Sequence, residues 1–376
     1  MSNLFDSRSI KSMTLANGFV RSATWEGMAG DDGSVTPRLI GVMEQLARGG
    51  VGLIITSHAY VSSEGQAGPY QLGVSSDGHV SGLAAMVKSV HALGGRIALQ
   101  IAHAGVRAPQ RFSGGRAMGP SVDGTNPEAG GREMVRADME TVARAFALAA
   151  ERARKAGFDA VQIHAAHGYL LSQFLSPFYN KRKDEYGGAI ENRVKLVVEV
   201  LQAIRQTVGP AFPVLIKLNS EDFLEGGLTV EDMLRTAEML EKAGIDAVEM
   251  SGGTFFSGRN TPSRVGKADP GEPEAFYEAA ARRYKERVGA PLMLVGGIRS
   301  LETAERLVAD GITDTIALCR PLIREPGLIN RWKGGDRRPA LCVSDNGCFK
   351  PALAGKGIYC VVDARERKKA PVNGGR

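Results

Sequence analysis

The chain is poor in features that assign function at a glance. It has only four cysteines in 376 residues, too few for a disulfide scaffold in a chain of this length, so a reducing cytoplasm is the expected compartment. No run approaches the roughly 20 apolar residues of a membrane span. The amino terminus, MSNLFDSRSIKSMTLANG, lacks the apolar core of a secretory signal. Net charge is +6, yet there is no basic block in the part expected to fold. The densest cluster, Arg365-Glu-Arg-Lys-Lys369, reads as a solvated, frayed tail rather than a nucleic-acid site. Neither a nucleic acid nor a membrane is therefore expected as a partner. What remains is 43% apolar and 23% charged, ordinary for a soluble globular protein. The length suits one large α/β barrel or two smaller domains.

Short, apolar, β-branched runs recur, each after a helical pattern that tends to end at Gly. Phe19–Ala23 follows an Asn17-Gly18 turn signal, which predicts an amino-terminal hairpin leading into it. The other strands are expected at Val51–Thr56, Arg96–Ile101, Asp159–Ile163, Val214–Leu218, Ala247–Met250, Leu292–Val295 and Thr315–Leu318. Helices are expected over Pro37–Arg48, His79–Leu93, Asp138–Lys155, Glu191–Val208, Val230–Lys242, Glu274–Val288, Leu301–Ala309 and Leu322–Trp332. Strict alternation means parallel strands with right-handed crossovers. Eight units predict a (β/α)8 TIM barrel over residues 1–335, followed by a carboxyl-terminal extension, 336–376. Two long connections, Ala102–Arg136 and Ser251–Pro273, both follow strands and so belong over the catalytic face.

Polar or very small residues stand at the mouths of these strands: Thr24, Ser57, Gln100, His164, Lys217, Ser251, Gly296-Gly297 and Cys319-Arg320. The loops after strands seven and eight are where such barrels hold phosphate. Gly296 and Gly297 would let backbone N–H groups approach closely, and Arg320 would add a bidentate charge. A tight turn with a surface arginine is the alternative. His164, His167 and Tyr169 fall within six positions at the end of strand four. The histidines lack a third ligand at useful spacing, so no metal is expected. Two imidazoles can donate hydrogen bonds to a carbonyl oxygen, and a phenol with pKa near ~10 stays protonated to deliver a proton. Lys217, inside VLIKLN, calls for an anionic partner if it is buried.

At these residues the sequence resembles the Old Yellow Enzyme family of FMN-dependent NAD(P)H oxidoreductases. The resemblance rests on Gln100-Ile-Ala-His-Ala-Gly105, His164-Ala-Ala-His-Gly-Tyr-Leu170, Phe174-Leu-Ser-Pro177, Asn180 to Gly188 with Asn192-Arg193, Val295-Gly-Gly297 and Arg320 to Pro326. It implies that Ala23, Thr24, Ser57 and Gln100 line the flavin ring and that Lys217 sits at its N1–C2 edge. Gly296, Gly297, Cys319 and Arg320 would hold the FMN phosphate. His164 and His167 would bind the substrate oxygen, and Tyr169 would be the proton donor. The implied reaction is reduction of the C=C bond of an α,β-unsaturated carbonyl by NADH or NADPH. A dehydrogenase or demethylase of a small metabolite is the related alternative, and a non-redox phosphate-binding barrel the alternative of another class. Self-association is expected, since many relatives form dimers or tetramers.

The chain departs from the family pattern in places. Trp25 aligns with a strand-one position where relatives carry Cys or Thr, and Lys217 stands for a common Arg. The segment Cys342-Val-Ser-Asp-Asn-Gly-Cys348 with Cys360 resembles the 4Fe-4S segment of the 2,4-dienoyl-CoA reductase branch, but Asp345 replaces one of four cysteines. Ligand softness argues against an intact cluster there.

Overall fold

The computed structural model describes residues 3–115, 117–122, 131–265 and 274–369. The remainder of the two long connections, 123–130 and 266–273, lies outside the described residues, as does the end of the tail. The barrel strands are β1 (Phe19–Arg21), β2 (Leu53–Tyr60), β3 (Ile97–Ala102), β4 (Ala160–Ala165), β5 (Val214–Asn219), β6 (Ala247–Ser251), β7 (Leu292–Leu294) and β8 (Thr315–Leu318). All neighbours pair in parallel, and β8 returns to β1 to close the barrel. A short antiparallel hairpin, Arg8–Ile10 with Met13–Leu15, precedes it as expected.

The helices around the barrel are α1 (Pro37–Arg48), α2 (Val80–His91), α3 (Arg136–Lys155), α4 (Lys195–Val208), α5 (Val230–Lys242), α6 (Glu278–Arg287), α7 (Leu301–Ala309) and α8 (Leu328–Lys333). Thr36 starts α1 by accepting a hydrogen bond from the Leu39 amide, with Pro37 as first helical residue. Gly157 and Gly244, at φ +89° and +90°, end the turns after α3 and α5 in a conformation that a side chain disfavours. The next residues then repeat one device. Asp159, Asp246 and Asp314 each accept the first amide of a neighbouring strand, from Ile97, Val214 and Leu292 at 2.8, 2.8 and 2.7 Å. These side-chain bonds pin the amino ends of β3, β5 and β7, and hence the height of the residues those strands carry to the mouth.

Several boundaries differ from the sequence reading. β4 runs on through His164 and Ala165, because His164 pairs in register with Lys217 of β5. β2 also extends, to Tyr60, through a register shift between Ile55 and His58. The last expected helix is two: Arg320–Arg324 and α8, separated at Pro326-Gly327, since proline has no amide to continue the first. The basic run Arg365–Lys369 is not frayed. It lies on a helix, Val361–Lys369, braced by the Arg324–Glu366 and Arg367–Asp363 ion pairs.

Inward-facing residues alternate along each strand. Near the floor they are apolar: Val20, Leu53, Ile55, Ala98, Ala160, Leu215, Ala247, Met293 and Ala317 form one buried cluster. Ile10, Met13 and Leu15 of the hairpin pack into the same cluster and seal that end. The outer strand faces join the larger core beneath the helices. Among the described residues no helix is long and apolar enough to cross a membrane.

Candidate active site

Two residues above the apolar floor the inward positions turn polar. The Gln100 amide donates to Gln162 Oε1 at 2.7 Å, and the Gln162 amide donates to Glu249 Oε2 at 2.8 Å. Lys217 Nζ donates to Glu249 Oε1 at 2.9 Å and to Ser22 Oγ at 2.7 Å. This chain crosses β3, β4, β6, β5 and the end of β1, and all its members are buried. Glu249 is the anion that a buried Lys217 required. Each polar group has a partner, as a low-dielectric site demands.

The mouth is shaped just above. Arg21 and Glu26 form a buried ion pair at 2.6 Å, and Arg21 also donates to the Ile55 carbonyl at 2.5 Å. That pair anchors both ends of the Ser22–Trp25 turn, so that Ala23, Thr24 and Trp25 border the opening. From β4 the chain turns sharply at His167 and Gly168, at φ +65° and +76°. Asn219 Oδ1 accepts the His167 amide at 3.2 Å, and the His167 imidazole Nε2 lies 2.8 Å from Ser251 Oγ. The turn brings the His164 and His167 rings to 5.2 Å between centroids and His164 to 4.8 Å from Tyr169.

Burial governs the protonation of this cluster. It holds the His164 and His167 imidazoles well below the ordinary histidine range, assisted by neighbouring imidazoles and the Lys217 charge. His58 is depressed by burial to about 4. Burial raises the Tyr169 phenol, with Arg107 opposing. At neutral pH the cluster therefore presents uncharged imidazoles and a protonated phenol. Tyr169 Oη lies 3.4 Å from His58 Nε2. His164 Nδ1 is buried with no hydrogen-bond partner among the described residues, a polar atom left for a ligand.

These groups open into a cleft of about 630 Å³, a size ordinary for cofactor and small-molecule sites. Of the sequence candidates, Ala23, Thr24, Gln100, His164, His167, Tyr169, Lys217, Gly296 and Cys319 line it. Ser57 is buried at the β2 register shift and does not. Gly297 and Arg320 stand behind the lining. A side chain on Gly296 or Gly297 would approach the Tyr277 or Phe276 ring to 2.6 Å, so the glycines keep this wall thin. Arg320 donates to the Arg264 carbonyl at 2.7 Å and to Asn346 Oδ1 at 2.8 Å. Cys319 Sγ lies 3.0 Å from Thr24 Oγ1. Polar inward-facing side chains, a thin glycine wall, a backing arginine and the unpartnered His164 nitrogen fit a flavin mononucleotide.

Sequence reasoning missed several participants. Gln162 and Glu249 were each a lone polar residue in an apolar strand, the same signal that singled out Lys217. His58, Phe255, Tyr277, Phe349 and Leu353 also line the cleft: His58 from the far end of β2, Phe255 from a long connection, Tyr277 from the start of α6, and the last two from a short helix, Phe349–Leu353. Phe349 and Leu353 belong to the carboxyl segment, tied down where Asn346 donates to the Ser263 carbonyl at 2.6 Å. The cysteines of that segment do not fit an iron–sulfur cluster. Among the described residues no three Cys, His, Asp or Glu side chains converge as metal ligands. Burial raises the Cys342 and Cys348 thiols, the latter to about 12, with neighbouring cysteines adding to the shift.

A profile described as the NADH:flavin oxidoreductase / NADH oxidase family matches residues 3–338. The chain is 33% identical to an NADH oxidase of Thermoanaerobacter brockii over 99% of its own length and 60% of that protein's, so it spans less than two thirds of this longer relative. It is 36% identical to an NADPH dehydrogenase of Halalkalibacterium halodurans, covering 86% of this chain and 91% of that one. The fold is similar to the solved Old Yellow Enzyme homologue of Zymomonas mobilis, with a TM-score of 0.76, 28% identity, and coverage of 90% of this chain and 94% of the other.

Proposed function

The chain belongs to the NADH:flavin oxidoreductase / NADH oxidase family, and from that premise we propose that this FMN-dependent NAD(P)H oxidoreductase reduces the C=C bond of α,β-unsaturated carbonyl compounds. The observation that carries the reading is the pairing of the unpartnered, buried His164 Nδ1 with a protonated Tyr169 phenol 4.8 Å away between ring centroids. FMN, when bound, supplies a two-electron carrier between the nicotinamide and the second substrate. Gln100, Lys217, Ala23 and Thr24 are the residues that would border its ring, with Gly296, Gly297, Cys319 and Arg320 toward its phosphate.

The chain's own groups do the rest. His164 and His167, kept neutral by burial, donate N–H bonds to the carbonyl oxygen and stabilise the negative charge that grows there. Ser251 and Asn219 fix the His167 ring and backbone for that task. Tyr169 holds its proton and gives it to the α-carbon as hydride reaches the β-carbon. The balance is one hydride from NAD(P)H and one proton through Tyr169, which is replenished from solvent. NAD(P)+ and the saturated carbonyl are the products. Lys217, held by Glu249 and Ser22, supplies a fixed positive charge beneath the site.

Anaerobic half-reactions test this. Tyr169→Phe is expected to slow reoxidation by an enone by about 10²-fold or more and to leave flavin reduction by NADH or NADPH within a few-fold. Equal loss in both half-reactions, or no loss in either, overturns the assignment of Tyr169.

A further inference from the structure

The first long connection carries two arginines beside the cleft that no carboxylate in the described protein satisfies. Arg107 ends a tight turn just after β3 and is half-buried. Its guanidinium carbon lies 3.6 Å from the Phe255 ring centroid, and Phe255 in turn meets Tyr169 edge-on at 6.3 Å. Arg111, on the following helical turn, lines the mouth of the cleft and lies over Phe112. Arginines on the next stretch of chain behave differently. Arg132, Arg136 and Arg152 are paired with Asp138, Glu185 and Asp77 at 2.6, 2.8 and 2.7 Å. The groups acting on the Arg107 charge are the phenols of Tyr169 and Tyr179, and burial depresses its pKa. A partly desolvated guanidinium with planar N–H donors, stacked on an aromatic face, recognises carboxylate in a bidentate manner.

We infer that the compound reduced by this enzyme carries a carboxylate, gripped by Arg107 with Arg111 at the entrance, at the end remote from the carbonyl held by His164 and His167. The inference rests on the proposed enone reduction and deepens it. Arg107 stacks against the ring that touches the proton donor, which points to the oxidising substrate rather than to the phosphates of the nucleotide.

The FMN-loaded enzyme, reduced by NADPH, is reoxidised with an enone acid and, in parallel, with its methyl ester. The acid is expected to show about tenfold or greater advantage in kcat/KM. Arg107→Met should lower the value for the acid at least about tenfold more than for the ester, mainly through KM, with Arg107→Lys intermediate. Arg111→Gln should give a smaller shift of the same sign. In parallel, the saturated analogues of the acid and the ester, which do not react, are titrated against the oxidised holoenzyme, and binding is read from the flavin spectrum. Equal affinity for acid and ester in both experiments overturns the inference, as does an Arg107→Met loss that falls equally on both. A loss confined to reduction by NADPH, and absent with NADH, assigns the arginine to the nucleotide phosphate and also overturns it. If no enone reoxidises the enzyme while the acid analogue still binds in preference to its ester, the enone reading fails and the anion site stands.

Discussion

The interior of the barrel divides into two halves built by the same strands. On β5, Leu215 faces the floor and Lys217 the mouth. On β6 the same step takes Ala247 to Glu249, and on β3 it takes Ala98 to Gln100. Below, residues are held by packing alone, and the hairpin closes the end. Above, they are held by directed bonds that run from Gln100 to Ser22. The lower half tolerates change in proportion to the volume removed. In the upper half each group depends on the charge or dipole of the next, so a single deletion strands its neighbour.

The largest effect is expected from breaking the upper half. Glu249→Gln leaves the Lys217 ammonium buried without its counter-charge and should lower stability by about 3–5 kcal/mol, measured by urea unfolding. It should also impair flavin reduction, because the positive charge under the site is displaced or lost. Leu215→Ala opens a cavity in the lower half and should lower stability by about 3 kcal/mol. In the folded fraction it should leave flavin reduction by NADPH within a few-fold, and a large kinetic loss would mean that the two halves are not separable. The smallest effect concerns pH. His58 titrates near 6.5 when unfolded and about 4 when folded, so the unfolded chain takes up the proton first as pH falls. Stability should therefore decline from about pH 6.5 down to about 4, by up to about 1 kcal/mol per unit for this one group, and level off below. His164 and His167, depressed in the same direction, add to the slope. His58→Gln should make the decline shallower than in the wild type, and identical slopes would remove His58 from the account.

The contrast also explains what the sequence made legible. Barrel strands buried on both faces are near-continuous apolar runs, so all eight could be found from composition and the glycines between them. The histidines, tyrosine and lysine stood out because ionisable groups are rare inside such runs. Glu249 in AVEMS carried the same signal as Lys217 and, read with it, would have completed the ion pair. His58 was hidden because the register shift after Ile55 lengthens β2 beyond its apolar core. Arg111 and Phe255 reach the cleft from long connections, and Phe349 from a short helix of the carboxyl segment, along paths that depend on tertiary contacts and that no local periodicity encodes.

The sharp turn at His167 has a further consequence. A backbone at φ +65° admits few residue types: glycine adopts it freely, histidine, asparagine and aspartate tolerate it, and β-branched side chains do not. The same position faces the site and bonds through its imidazole to Ser251. Variation there is thus filtered twice, first by conformation and then by chemistry. Apart from glycine, the residues that pass the first filter are short or planar polar groups, able to take part in a hydrogen bond. Drift that keeps a side chain at this position is channelled toward other polar groups, whereas glycine, which the backbone accepts most readily, would abandon the hydrogen bond altogether.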